Sequence, residues 1–253
     1  MTINLTYQIH PGMFKYPSDP EVEITIQRAK IEPINKTNLI DESGLESGAG
    51  YSEEKYHSGN ATITIRNHHG THIDAPSHKL PDGKTINQYP QEKFNNLAGI
   101  IDLSNVYRTK ERIYSRLLAQ NSNIKNPEKI GALIIYTGFC DEMQRHEGQL
   151  KGKEKTNFEK KFPFLTENSA KYITEKFPNL NLLGIDSFSV DPSGSNSEVH
   201  RILFAKDILP LETLVNLKEL TNKFNNKLFN LSCKLLNYTD ADAAQALVEA
   251  TEI

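Results

Sequence analysis

Three short apolar runs, at 98–103, 131–136 and 180–185, alternate with stretches of helical spacing, and this alternation sets the fold class. Runs this short and this apolar read as strands buried on both faces. Between them, 110–120 and 166–177 carry helical patterns. In the second, Thr166 stands at the N-cap, and Ala170, Ile173 and Phe177 fall on one face. Strands alternating with helices predict an α/β fold with a mixed, partly parallel sheet. Residues 61–66 alternate apolar and polar with β-branched side chains and read as a strand. Residues 79–90, with Pro81-Asp82-Gly83, read as a loop. Residues 227–236 read as a further strand, the last dozen as a helix, 151–161 as a solvated charge run, and Asn225-Asn226 as a polar turn. No repeat or long linker divides the chain, so residues 1–253 are expected to form a single domain.

Composition narrows the partners. The formal net charge of -3 leaves no field to hold a polyanion, so no nucleic acid is expected. Cys140 and Cys233 are far apart and fit no CxxC pattern; they read as buried thiols in a reducing compartment. No apolar run is long enough to span a bilayer, and no basic stretch followed by an apolar one marks a leader. The expectation is a cytoplasmic protein acting on a small molecule, with no membrane partner.

The chemistry is concentrated in His68-His69-Gly70-Thr71-His72-Ile73-Asp74-Ala75-Pro76-Ser77-His78. A structural role would have to give each of four crowded imidazoles its own hydrogen-bond partner. In an extended segment His72 and Asp74, two apart, project from one face. Gly70 lets the backbone turn so that His68 can join them, and Pro76 ends the segment rigidly. Two imidazoles and a carboxylate suit zinc or manganese, and a carboxylate can bridge two metals. The His68–His72 spacing also matches the HxxxH of helical zinc proteases. Position 69 is His rather than Glu, however, and Gly70 with Pro76 argues against a helix. His69 faces away from His68 in a strand and reads as structural. His10, His57 and His146 are isolated and read as solvated or locally bonded. His78 lies beyond Pro76, free to act as an acid/base.

The segment fits His-x-Gly-Thr-His-x-Asp-x-Pro-x-His without a gap and resembles the cyclase-like metal-dependent hydrolases, which include bacterial kynurenine formamidases and isatin hydrolases. The resemblance extends through His10-Pro11, Tyr16-Pro17-Ser18-Asp19-Pro20, Gly83-Lys84-Thr85-Ile86, Tyr89-Pro90, the GIIDLS of 99–104, Tyr136-Thr137-Gly138-Phe139 and Gly184-Ile185-Asp186-Ser187 with Val190-Asp191-Pro192. It reaches His200 and Glu212. It implies a swivelling β/β/α fold with a barrel-like core flanked by helices. It also implies a homodimer or homotetramer and two divalent metals per subunit, zinc or alternatively manganese. His68, His72 and Asp74 would hold the first metal. Asp74 would bridge to a second on His200 and Glu212, and His78 would be the catalytic acid/base. Taken alone, His200 reads as a helix-surface histidine and Glu212 as a solvated carboxylate. Tyr16 falls where formamidases carry a substrate-packing aromatic, commonly Trp; this chain has no Trp. Extra polar sequence occurs near 34–60 and 141–161. The activity implied is arylformamidase, cleaving N-formylkynurenine to kynurenine and formate. The alternatives are a cyclic amide or imide hydrolase and a non-catalytic metal-binding protein.

Overall fold

The computed structural model describes residues 2–33, 54–106, 112–224 and 226–253. Its strands are β1 (Thr2–Asn4), β2 (Glu23–Gln27), β3 (Lys30–Pro33), β4 (Glu54–His57), β5 (Asn60–Thr64), β6 (His72–Asp74), β7 (Asn95–Asp102), β8 (Arg112–Ile113), β9 (Ala132–Tyr136), β10 (Phe164–Leu165), β11 (Leu182–Ile185), β12 (Leu209–Glu212), β13 (Phe229–Leu235) and β14 (Ala243–Thr251). The α-helices are α1 (Ser115–Asn121), α2 (Phe139–His146), α3 (Gly152–Glu159), α4 (Glu167–Lys176), α5 (Glu198–Phe204) and α6 (Leu217–Phe224).

The main sheet runs β1-β14-β13-β7-β9-β11-β12-β6, and β6 pairs again with β14. Seven strands therefore close into a ring, and β1 adds to the far half of β14. Strands β7, β9, β11 and β12 are mutually parallel, whereas β6, β13 and β14 are antiparallel to their neighbours. This is the mixed, partly parallel, barrel-like α/β architecture expected from the sequence.

The apolar runs explain the layering. β9 and β11 are buried on both faces. Ile134 and Leu182 join one core cluster; Leu133, Ile135, Leu183 and Ile185 join another with α4 and α5. Thr166 caps α4 by accepting from Ser169 N, and Ala170, Ile173 and Phe177 fill the core as their spacing predicts. Cys140 and Cys233 are both buried thiols. Among the described residues, no helix is long and apolar enough to cross a membrane.

Three expectations are corrected. The last dozen residues are strand, not helix. Alanine-rich composition favours helix in isolation, but Ala246, Val248 and Ala250 are buried while Leu247 is exposed, a period of two imposed by pairing to β13. The helix read over 110–120 begins only at Ser115, because Arg112 and Ile113 pair with β10; residues 107–111 lie outside the description. The 151–161 charge run forms α3, and it is not wholly solvated. Glu159 is buried there and accepts from Lys15 N at 3.3 Å. The polar turn read at 225–226 keeps only Asn226 in the description, with a positive φ of 58°. Of the extra sequence near 34–60, residues 34–53 fall outside it too.

After β6 the chain makes a single 3-10 turn, Pro76–His78, that carries His78. The Pro81-Asp82-Gly83 loop folds back on it: Ser77 N donates to Lys84 O at 3.0 Å. A methyl on Gly83 would lie 2.4 Å from the Pro76 carbonyl carbon and 2.5 Å from Ser77 N. Both obstacles are backbone, which cannot swing away as a side-chain end could. Gly83→Ala is therefore expected to lower stability by about 1–3 kcal/mol through overpacking, read as a lower urea midpoint of the metal-free protein.

Candidate metal centre

β6 supplies the centre of the site. Its extended backbone sends His72 and Asp74 to one face and Ile73 into the core on the other. The register places His72 opposite Glu212 on β12 and Asp74 opposite Ala243 on β14. Gly70, at φ 71°, turns the chain just before β6 and brings His68 back over it. α5 delivers His200, which is buried rather than on a helix surface, and Glu212 is buried rather than solvated. The structure thus brings together His68, His72, Asp74, His78, His200 and Glu212.

The distances are those of a ligand cluster. Asp74 Oδ1 lies 3.0 Å from His68 Nδ1 and 3.2 Å from His72 Nε2. Asp74 Oδ2 lies 3.0 Å from His200 Nε2 and 3.8 Å from His78 Nε2. Glu212 reaches His72 Nε2 at 3.4 Å and His200 Nε2 at 3.6 Å. Ligating atoms within 4.8 Å of one another form the triads His68/His72/Asp74, Asp74/His78/His200 and His68/His78/Asp242. Glu212 belongs to none of these three; its Oε1 also accepts from Val190 N at 2.8 Å.

Two atoms test whether a cation fits. His72 Nε2 and Asp74 Oδ1 are buried yet have no hydrogen-bond partner, although buried polar atoms are normally satisfied. His72 Nδ1 donates to Gly70 O at 2.9 Å, which leaves Nε2 as the nitrogen that faces Asp74. His200 Nδ1 donates to Asp191 Oδ2 at 2.6 Å, which leaves its Nε2 facing the same carboxylate. Fixing the outer ring nitrogen so that the inner one can ligate is how metal-binding histidines are oriented. The donor set of imidazoles and carboxylates matches a borderline cation.

Electrostatics agree. Burial opposes charge on His68, but the Asp74 carboxylate and the Asp242 hydrogen bond outweigh it and raise the imidazole to about 9. Burial likewise opposes charge on His200, and its hydrogen bonds to Asp191 and Asp74 raise it to about 9. Burial would push Asp74 up, yet the charges of His78, His68 and His72 hold it well below the usual carboxylate range.

The remaining histidines stand apart. His69 is buried and outside the cluster, with Nδ1 accepting from Arg66 N at 3.1 Å; residues 67–71 form a turn and bend rather than the strand on which its structural reading rests. His10 and His57 bond to Glu147 and Glu32 away from the site, and His146 lies 3.7 Å from Glu142. Tyr16 packs on Phe162 and lines a cavity of about 610 Å³ with His68, His78, Phe188 and Lys79. That volume suits a small molecule. Sequence reasoning missed two carboxylates. Asp191, noted only as part of a motif, accepts from Val199 N and His200 N at the start of α5 as well as from the ring. Asp242, just before β14, bonds His68 and His78. A helix read over the C-terminal residues hid Asp242; pairing of β14 with β6 is the only signal that could have placed it.

Residues 3–192 match the model of the Cyclase family, and the chain belongs to that family. Among curated proteins it is similar to a kynurenine formamidase of Bacillus cereus, 30% identical over 154 residues. That alignment covers 60% of this chain and 63% of the relative, so under two thirds of the relative's length is matched. Among solved structures, a potential metal-dependent hydrolase with cyclase activity superposes with a TM-score of 0.68 at 20% identity, covering 100% of this chain and 98% of that one. Isatin hydrolase A from Labrenzia aggregata, bound to benzyl benzoate, superposes with a TM-score of 0.65 at 16% identity, covering 100% and 93%. These likenesses carry the fold.

The raised histidines set a pH dependence for the metal-free protein. Their folded values near 9 exceed the ordinary 6.5, so their contribution to stability is complete below 6.5 and is lost as pH rises through 9. The depressed Asp74 acts oppositely: its contribution is present above 3.8 and lost as pH falls. The melting temperature without metal is expected to fall between pH 6.5 and 9. Added zinc should remove that fall, because a cation takes the place of the protons. A flat profile without metal would refute this reading of the cluster.

Proposed function

We propose that this chain is a metal-dependent amidohydrolase that cleaves the C–N bond of a small amide, with N-formylkynurenine as its substrate. The observation that carries the proposal is the placement of His78. It lies beside the ligand cluster, its Nε2 is 3.8 Å from Asp74 Oδ2, and it lines the cavity. A cation held by the other five residues has no need of such a residue. Kynurenine formamidases among the chain's relatives support the substrate.

His68, His72 and Asp74 would hold one cation, and His200 with Glu212 and the bridging Asp74 a second. Zinc suits the donors, with manganese the alternative. Polarisation of the scissile carbonyl and ready ionisation of water near neutrality are what such a cation supplies when bound. His78 Nε2 takes the proton as water adds to the formyl carbon. The same nitrogen returns it to the leaving aryl nitrogen as the C–N bond breaks, giving formate and kynurenine. Tyr16 and Phe188 offer aromatic walls for the aryl ring, and Arg66 and Lys79 bring positive charge to the cavity for a carboxylate. Assembly into a homodimer or homotetramer is supported by the exposed apolar side chains on β2, β3 and β5: Ile26 is 67% exposed, Ile31 57% and Ile63 55%.

The purified protein with zinc or manganese should form kynurenine from N-formylkynurenine, and a chelator should abolish this. Turnover of isatin alone would replace the substrate, and turnover of neither by metal-loaded protein would favour a non-catalytic metal binder. His78→Ala should bind metal normally and lose about 100-fold or more in kcat. Asp74→Asn should lose metal, read by elemental analysis.

A further inference from the structure

One carboxylate outside the proposed ligand set reaches both kinds of functional histidine. Asp242 Oδ2 lies 3.0 Å from His68 Nε2 and 2.8 Å from His78 Nδ1. Its other oxygen accepts from Asn67 Nδ2 at 2.5 Å, and Asn67 Nδ2 also donates to Ala243 O at 3.2 Å. The main chain is fixed as well. Ala75 N donates to Asp242 O at 2.8 Å, and Ala243 pairs with Asp74 in the sheet. Asp242 is therefore held rigidly against the segment that carries both imidazoles.

The consequence lies in the ring tautomers. A carboxylate only accepts, so His78 must present Nδ1–H to Asp242, and its Nε2 then faces Asp74. The same logic at His68 places an N–H on Nε2, so Nδ1, 3.0 Å from Asp74, is the nitrogen that gives up its proton when a cation takes its place. We propose that Asp242 is a positioning residue that sets both tautomers at once, orienting the His78 acid/base and the His68 ligand through a single oxygen. This rests on the hydrolase reading above for its kinetic consequence, but not for its structural one.

A carboxamide cannot replace this group. Asn at 242 would keep one acceptor oxygen, enough for the imidazoles or for Asn67 but not for both. Free imidazole prefers the Nε2–H tautomer, so the opposite tautomer in His78 is a specific signature of the contact.

The test uses the wild type, Asp242→Asn and Asp242→Ala. Nitrogen-15 NMR of the metal-free proteins, at a pH where the His78 ring is neutral, should show Nδ1–H in the wild type. Asp242→Ala, which removes the acceptor, should move toward Nε2–H. Wild-type protein with Nε2–H would overturn the proposal, whatever its activity. With metal and N-formylkynurenine, Asp242→Asn should lower kcat by about tenfold or more, while KM shifts little. In a His78→Ala background the same substitution should cost less than it does in the wild type, because the part that acts through the His78 ring is already gone. An equal loss in the two backgrounds would reduce Asp242 to a structural role and overturn the proposal. At saturating metal Asp242→Asn should bind as many ions per chain as the wild type; a site lost outright under those conditions would make Asp242 a ligand and overturn the proposal. If the wild type turns over no amide, the hydrolase reading fails, and the NMR result still decides the assignment.

Discussion

The Asp74 carboxylate is 1% exposed and has four imidazoles around it: His68 and His72 on one oxygen, His200 and His78 on the other. An isolated carboxylate at this depth would cost several kcal/mol to desolvate. Here positive charge surrounds it instead, either as protons shared with the rings or as a cation in their place. The fold around it serves to hold those rings still. Each of His72, His200 and His78 has its outer nitrogen tied to a backbone oxygen or a carboxylate.

Closure of the sheet makes this possible. β6 is only three residues long and would be a weak edge on its own. Pairing on one side to β12 and on the other to β14 satisfies its backbone and sets Glu212 and Ala243 against His72 and Asp74. A slip of one residue would turn His72 and Asp74 into the core and Ile73 into the cavity. Register and function are thus fixed by the same hydrogen bonds.

Much of this was legible in the sequence because the signals were local. The apolar runs at 131–136 and 180–185 needed no partner to be read as buried strands, and Thr166 marked a helix start by its own chemistry. The segment from His68 to His78 combined residue type with spacing, so it announced a cluster before any fold was known. His200 and Glu212 were different. Each looks ordinary in isolation, and only resemblance placed them beside Asp74. Asp242 and β14 carried no local signal at all. Alanine and glutamine at 243–250 suit a helix intrinsically, and only pairing with β13 and β6 makes them a strand.

The chain order of the ring has a consequence for how the protein is made. Asp74, His68, His72 and His78 emerge early during synthesis, whereas β14, which seals β6 and brings in Asp242, follows every other described strand. Until residues 242–251 have left the ribosome, β6 has one neighbour at most, and the His78 ring lacks its anchor. The nascent chain therefore carries exposed histidines and carboxylates long before it can hold a cation in a defined geometry. Assembly of the candidate metal centre is accordingly a late event, tied to the arrival of the strand that closes the barrel.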